Sequence, residues 1–515
     1  MRDGGYYTNW DFDQTLLDRY LAAMRTASCI SAVEIGYRSK PKPDYAGRFF
    51  HTPRTLLTHC RSALRADQSL AIMLDEKDVS PADIPGLIAD VAGTISMVRF
   101  AIAPARIGGA KALVEACNAL GVQVALNIMY LNTYCEDASV LAPLADTNAA
   151  LVALVDSYGG CTPADVGRAV TLAREILPQP IGFHGHDNVS LAFANSVAAL
   201  GAGASVIDTT VLGMGRGAGN TKTELMSAYF ASKLGHDVDF AAMATAVDAF
   251  SELHKRFEWG ANLAYMVSGF EGLPQAEVMD WLGTRRYSMG SIVSALRHRS
   301  GNSVDDRTFP DLSGIATERA LASRPVLIIG GGASVAEHLD GLKRFVAESG
   351  AVIVHSTTRH ASLFDDVNSP QIYCLAGQEI ARLRGGHEHM ISRPDRFIAI
   401  QKPPRLPDSV PEQAQVYEVP HWLEDKGRGN LGPVADEPPM DLALAAAESL
   451  DAEAVFLAGF DGYADASLAD QQNARDVQSA LDQAAARWAG RRVKALTPTL
   501  YSVERASVYG LLGQA

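Results

Sequence analysis

This sequence predicts an α/β protein on two observations. Short apolar runs alternate with amphipathic segments, and the spacing changes character once, near residue 320. The strand-like runs are AVEIGY (32–37), LAIML (70–74), SMVRFAI (96–102), VQVALNIMY (122–130), AALVALVDS (149–157), PIGFHGHD (180–187) and SVIDTTVLG (205–213). Segments such as ADIPGLIADVAG and GGAKALVEACNALG lie between them and read as helices. Strands alternating with helices at this spacing form βαβ units of a parallel sheet. Counting Arg2-Asp3 as the end of a first strand gives eight units within residues 1–235, which predicts a TIM (β/α)8 barrel. The chain then starts at the C-terminal end of strand one. Either that strand is a stub or the start falls short of it.

Residues 236–312, with FAAMATAVDAFSELHKRF and QAEVMDWLG, read as a helical extension of the barrel. The looser stretch RSGNSVDDRTFPDLSG (299–314) leads to a second unit. Over 324–515 a new αβ pattern begins with PVLIIGGGAS and AVIVHS and ends with AEAVFLAGFDGY, predicting a smaller Rossmann-like α/β domain of unknown role. Its proline-rich middle, KPPRLPDSVPEQAQ and GRGNLGPVADEPP, is expected as loop.

Bulk composition narrows the function. A chain of 515 residues supports two or three cores. No apolar run approaches the ~20 residues that span a bilayer, and the N-terminus carries no signal-type apolar segment. A formal charge of −14 with no basic stripe argues against nucleic-acid binding. The six cysteines are scattered without a CxxC pair, which fits a reducing cytoplasm.

Three motifs carry chemistry. In FHGHDN (183–188), His184 and His186 stand two apart on a strand and therefore face the same way. They read as a pair of metal ligands or as two unrelated polar residues at a strand end. Asp3, at the end of the first strand, adds an oxygen donor. Two His and one carboxylate suit Mn²⁺, Mg²⁺, Co²⁺ or Fe²⁺. GMGRGAGN (213–220) follows the last barrel strand and ends in Asn220, whose amide oxygen can reach a metal or a water beside it. A flexible turn or a phosphate loop reads the same way. In a closed barrel the three motifs are neighbours at the C-terminal mouth.

Together, RDG, HxHDN and GxGxxxGN resemble the DRE-TIM metallolyases, the superfamily of 4-hydroxy-2-oxovalerate aldolase, hydroxymethylglutaryl-CoA lyase, and isopropylmalate and homocitrate synthases. The resemblance covers residues 1–310 and is stronger to the aldolases. VDSYGGCTPADV looks like the family loop that cradles a substrate carboxylate, and no cysteine-rich loop like that of the CoA lyase is present. The resemblance implies a divalent metal, Mn²⁺ or Mg²⁺, on Asp3, His184, His186 and Asn220. It implies a pyruvate-type 2-oxo acid and an aldehyde as substrates, with Arg2 against the enolate oxygen and Ser157 at the carboxylate. Glu34 matches an acidic family position, orienting Arg2 or binding substrate, or it is a solvated strand-end carboxylate. The aldolases carry a His shortly after RDG. Here Gly5, Tyr6 and Tyr7 stand there, so Tyr6 and Tyr7 become the catalytic candidates or simply pack. Arg38, Lys40, Lys42 and Arg48, in the loop after AVEIGY, are placed to meet an anionic aldehyde or are ordinary solvated residues.

An acyl-CoA Claisen enzyme of the same superfamily and a barrel that has lost catalysis remain as alternative functions. A homo-oligomer is expected, with neither a membrane nor a nucleic acid as partner. An aldehyde dehydrogenase partner, which the family aldolases have, stays open. In the second domain GGGAS departs from the dinucleotide fingerprint, which makes a nicotinamide site unexpected. The GxGxS-like loop and Asp461 look a little like the nucleotide-handling domains of pterin pyrophosphokinase-like and flagellin-glycosylation proteins. A structural or oligomerising role is equally open.

Overall fold

A computed structural model describes residues 1–41, 45–284, 289–300, 307–376, 379–384, 392–403, 415–422, 439–463, 468–488, 490 and 492–513. The chain divides into two compact units, Met1–Val278 and Met279–Ala515. Lys42 and most of the two proline-rich stretches fall outside the described residues.

The first unit is built on β1 (Ala32–Tyr37), β2 (Ser69–Asp75), β3 (Met97–Ile102), β4 (Gln123–Ile128), β5 (Leu151–Asp156), β6 (Ile181–Gly185) and β7 (Val206–Asp208). They form one parallel sheet in sequence order, with helices in the connections, as a TIM barrel requires. Side chains alternate. Leu70, Ile72 and Leu74 of β2, Val98 and Phe100 of β3 and Val124 and Leu126 of β4 join the helices in one apolar core. The opposite set combines small and apolar residues such as Ala71, Met73, Ala125 and Val155 with buried Arg99 on β3, Asn127 on β4 and His184 on β6. The barrel interior therefore holds charged and polar groups among apolar ones.

One expectation is corrected. Arg2-Asp3 is not the end of a strand: residues 2–4 form a turn that leads into the one-turn helix Gly5–Thr8. Among the described residues the barrel sheet has seven strands. The turn occupies the place of the eighth by side-chain bonds instead of a backbone ladder. Arg2 reaches Glu34 on β1, while Asp3 reaches Asn220 beyond β7. Gly5 must be glycine, because a Cβ there would lie 2.1 Å from the Trp10 indole. That indole donates from Nε1 to the Arg2 carbonyl at 3.0 Å and pins the turn.

The second unit carries β8 (Val326–Ile329), β9 (Val352–His355), β10 (Gln371–Cys374), β11 (Arg396–Gln401), β12 (Val416–Val419), β13 (Val455–Ala458), β14 (Val493–Ala495) and β15 (Glu504–Arg505). All run parallel in the order β12-β11-β10-β9-β8-β13-β14-β15, the doubly wound arrangement of a Rossmann-like sheet. Apolar clusters form around its strands, with Val326, Val352 and Ile372 in one and Leu327, Ile329 and Ile353 in another. No helix among the described residues is long and apolar enough to cross a membrane.

Candidate active site

A cavity of about 140 Å³ opens in the first unit. Its lining includes Arg2, Asp3, Tyr6, Tyr37, Ser157, His184, His186 and Arg216. Long-range pairing assembles it.

The charged wall is a continuous network. Arg2 donates from Nε to Glu34 Oε2 at 2.8 Å and pairs with Asp3. Glu34 also faces Arg99 at 3.7 Å. Arg99 donates to Asp208 at 2.5 Å and to Asn127 Oδ1 at 3.1 Å. Asp208 accepts from His184 Nδ1 at 3.0 Å, which leaves His184 Nε2 facing Asp3 at 3.5 Å. Asn220 donates from Nδ2 to Asp3 Oδ2 at 2.8 Å. Register makes the His184–Asp208 contact unavoidable, because the two residues are partners across β6 and β7.

Electrostatics follow from this packing. Burial opposes ionisation of Asp3, but Arg2, His184 and His186 outweigh it and hold the carboxyl down to about 2. Burial likewise opposes ionisation of Asp208, and Arg99 and His184 hold it well below the usual carboxylate range. His186 is lowered from 6.5 to about 3 by burial first and by the charge of His184 second. It is a neutral imidazole at physiological pH, the form that binds a metal.

Among the described residues no three His, Cys, Asp or Glu side chains stand as a ready metal cage. The donors nevertheless fit a divalent cation. His186 Nδ1 and Asn220 Oδ1 are buried with no hydrogen-bond partner, a costly state unless something else satisfies them. His184 is oriented by Asp208 through its far ring nitrogen, the arrangement that fixes metal-ligating imidazoles. His186 and Asn220 are themselves bridged, through an isolated backbone pair between the end of β6 and the glycine loop.

Tyrosines make up another part of the lining: Tyr6, Tyr37, Tyr130 and Tyr158. The Tyr6 and Tyr37 hydroxyls are 3.2 Å apart. The Tyr130 and Tyr158 rings stack obliquely, with centroids 5.3 Å apart. Ser157 Oγ accepts from the Tyr130 N–H at 2.9 Å and keeps its own proton to donate.

The sequence expectations divide accordingly. Arg2, Asp3, Glu34, His184, His186 and Asn220 are brought to one place, and Tyr6 and Ser157 line the cavity beside them. Four residues go elsewhere. Arg38 closes a two-pronged ion pair on Asp90 at 2.8 Å and donates to the Thr52 and Leu87 carbonyls. Its guanidinium is used up outside the cavity. Tyr7 donates to the Gly217 carbonyl at 2.7 Å and packs on Phe257 and Trp259. Burial pushes its hydroxyl up to about 12, so it acts as a buttress for the glycine loop. Lys40 pairs with Asp83, and Arg48 donates to Gln14, so neither meets the cavity.

Arg99, Asn127, Asp208, Tyr37 and Arg216 escaped the sequence reading. A signal existed for the first three, each a polar residue inside an otherwise apolar strand. Tyr37 had none. It is three residues from Glu34 and belongs on the opposite face of a regular strand. An irregularity in the β1–β2 register between Glu34 and Tyr37 lets Tyr37 line the cavity while Glu34 holds Arg2.

The fold is a barrel of the lyase class, and comparison with known proteins agrees. The HMGL-like family model matches residues 103–250. The N-terminal domain of a candidate aldolase from Bacteroides vulgatus, solved by crystallography, is 42% identical with a TM-score of 0.54, covering 57% of this chain and 97% of that one. Oxaloacetate decarboxylase of Mycobacterium tuberculosis is 27% identical over 54% of this chain and 82% of its own. 4-Hydroxy-2-oxovalerate aldolase of Pelotomaculum thermopropionicum is 43% identical over 24% of this chain and 36% of its own, so the match spans about a third of that enzyme. The chain belongs to the HMGL-like family of DRE-TIM metallolyases.

Proposed function

We propose that the first unit is a divalent-metal-dependent aldolase that forms or cleaves a C–C bond between the enolate of a pyruvate-type 2-oxo acid and an aldehyde. The observation that carries this reading is the convergence of Asp3, His184 and His186 beside an ion-paired arginine in one cavity, with Asn220 hydrogen-bonded to Asp3 behind them. HMGL-like lyases are divalent-metal dependent, and the oxygen and imidazole donors here suit Mn²⁺ or Mg²⁺. Bound at these four residues, the ion supplies Lewis-acid polarisation of the 2-oxo group.

The chain's own residues do the rest. Arg2, held by Glu34 at its Nε, presents the remaining guanidinium edge to the oxygen where enolate charge develops. Ser157 donates its hydroxyl to the substrate carboxylate. Tyr6 exchanges the proton at the reacting carbon or the aldehyde oxygen, in the place where family aldolases carry histidine. Tyr37 keeps its own proton, since burial and the neighbouring Tyr6 raise it well above 10, so it can donate to Tyr6 when Tyr6 is charged.

Proton NMR of pyruvate in D₂O with Mg²⁺ tests the reading. Metal-dependent loss of the methyl signal is expected, abolished by EDTA and in His184→Ala. Exchange that survives EDTA, or its absence with both Mg²⁺ and Mn²⁺, would remove the proposal. The decarboxylase relative, covered over most of its length, favours one second reading: release of CO₂ from a 2-oxo diacid through the same enolate. Carbonate release from oxaloacetate above the metal-only rate distinguishes it.

A further inference from the structure

One cation in the cavity has no assigned task. Arg2 is engaged by Asp3 and Glu34, and Arg99 by Asp208 and Asn127. Arg216 is different. Among the described residues its guanidinium has no carboxylate and no hydrogen-bond acceptor, and it lies over the Tyr6 ring, 5.5 Å from the centroid. It is half-buried and lines the cavity. A half-buried, unpaired charge costs free energy unless a partner arrives. Asp3, the one acidic side chain of the lining, is already held by Arg2 and Asn220. Among the described residues, the place of a partner for Arg216 is open.

The loop holds Arg216 in place for that partner. Gly219 N–H donates to the Arg216 carbonyl at 3.3 Å, and Asn220 N–H to the Gly213 carbonyl at 2.9 Å. Gly217, at φ +68, takes a left-handed turn that few other residues tolerate. Tyr7 fastens its carbonyl from the other side. The only long charged side chain of GMGRGAGN is thus presented from a fixed backbone.

Its position separates it from the charged wall. Arg2 lies 5.9 Å from the Tyr37 ring centroid and Arg216 lies over Tyr6, with the two tyrosine hydroxyls hydrogen-bonded to each other. The guanidiniums therefore mark two anion subsites, one on each partner of the tyrosine pair. The first serves the 2-oxo acid in the function proposed above, on which this inference rests. We infer that Arg216 binds an anionic group, carboxylate or phosphate, carried by the acceptor aldehyde, so that the electrophile is an anionic aldehyde and not a simple alkyl one.

Matched acceptors test this with pyruvate as donor: succinic semialdehyde against butanal, and glyceraldehyde 3-phosphate against glyceraldehyde. The wild type is expected to prefer the anionic member of one pair by about 10- to 100-fold in kcat/KM, the range for a hydrogen-bonded charge. The preferred pair tells carboxylate from phosphate. In Arg216→Met that preference falls towards one, chiefly through KM. Arg216→Lys restores part of it for a phosphate, which accepts a point charge. No anionic preference in the wild type, or an undiminished one in Arg216→Met, overturns the inference. Calorimetric titration with inorganic phosphate and with succinate reads the subsite without turnover. A Kd at least about 10-fold weaker in Arg216→Met is expected for one of them, and equal values overturn the inference. If pyruvate exchange fails in the wild type, the aldolase reading falls, while the titration still decides Arg216.

Discussion

The two walls of the cavity are built on different principles. On one, every charged side chain has a partner: Arg2, Asp3, Glu34, Arg99, Asp208 and His184 form a closed chain of ion pairs and hydrogen bonds. On the other, Tyr130 and Tyr158 pack at a tilt, Tyr6 meets Trp10 edge to face, and one arginine has no acceptor among the described residues. A fully paired wall resists rearrangement, because moving any member strands a buried charge. A ring-lined wall re-forms at little cost when side chains change. The first wall suits the step common to the family, generation of an enolate. The second suits selection of the partner.

The comparison breaks most visibly at Asp3. Asp3→Asn removes a ligand charge and one of the two carboxylates paired with Arg2, and is expected to lower pyruvate exchange by about 10³-fold or more. Titration of the metal by calorimetry separates lost affinity from lost turnover. A fall of only a few fold would mean that the charged wall is scaffolding.

Next comes Tyr6→Phe, expected to slow exchange by about 10²-fold, the lower range for general acid–base help. Tyr37→Phe should act less strongly, through the alignment of Tyr6. Its signature is an altered pH profile at nearly constant KM. Equal, small effects in both would make the tyrosines packing residues.

Asp208→Asn should cost about 10- to 100-fold in metal affinity, the usual price of losing the carboxylate behind a ligating imidazole. Arg99 then loses its nearest anion too, so a drop in thermal stability should accompany it.

The smallest expected effect sharpens the contrast from behind the aromatic wall. Asp156 is fully buried at the end of β5, and burial raises its carboxyl to about 6 against the N–H groups of Cys161, Gly160 and Gly159. A group raised on folding contributes stability that is present below its unfolded value near 4 and is lost as pH rises towards 6. Relative to wild type, Asp156→Asn should therefore gain about 2 kcal/mol between pH 4 and pH 6. Thermal melts across that range measure it, and a pH-independent difference would contradict the assignment.

Much of this was legible in the sequence, for a local reason. AVEIGY occupies the same residues as β1, five of the six other barrel runs contain a strand of the sheet, and LAIML lies within β2. Alternation of apolar and helical segments is written residue by residue, so the βαβ pattern and the second parallel sheet could be read without contacts. The HxH pair was equally local, because a strand's period of two sends both imidazoles to one side.

What the tertiary structure decided involves residues far apart or a break in the period. The turn at Arg2-Asp3 takes the place of a strand through bonds to residues 32 and 217 positions away. Arg38 follows β1 towards the barrel mouth by sequence, yet Asp90, in a distant segment, claims its guanidinium. Tyr37 reaches the cavity through an irregularity in register that no pattern announces. Arg99 and Asp208 find each other across the barrel interior, and Arg216 has no acceptor among the described residues by the same three-dimensional accounting of charges. Periodicity is a property of neighbours along the chain, whereas the pairing of a buried charge depends on every element packed around it.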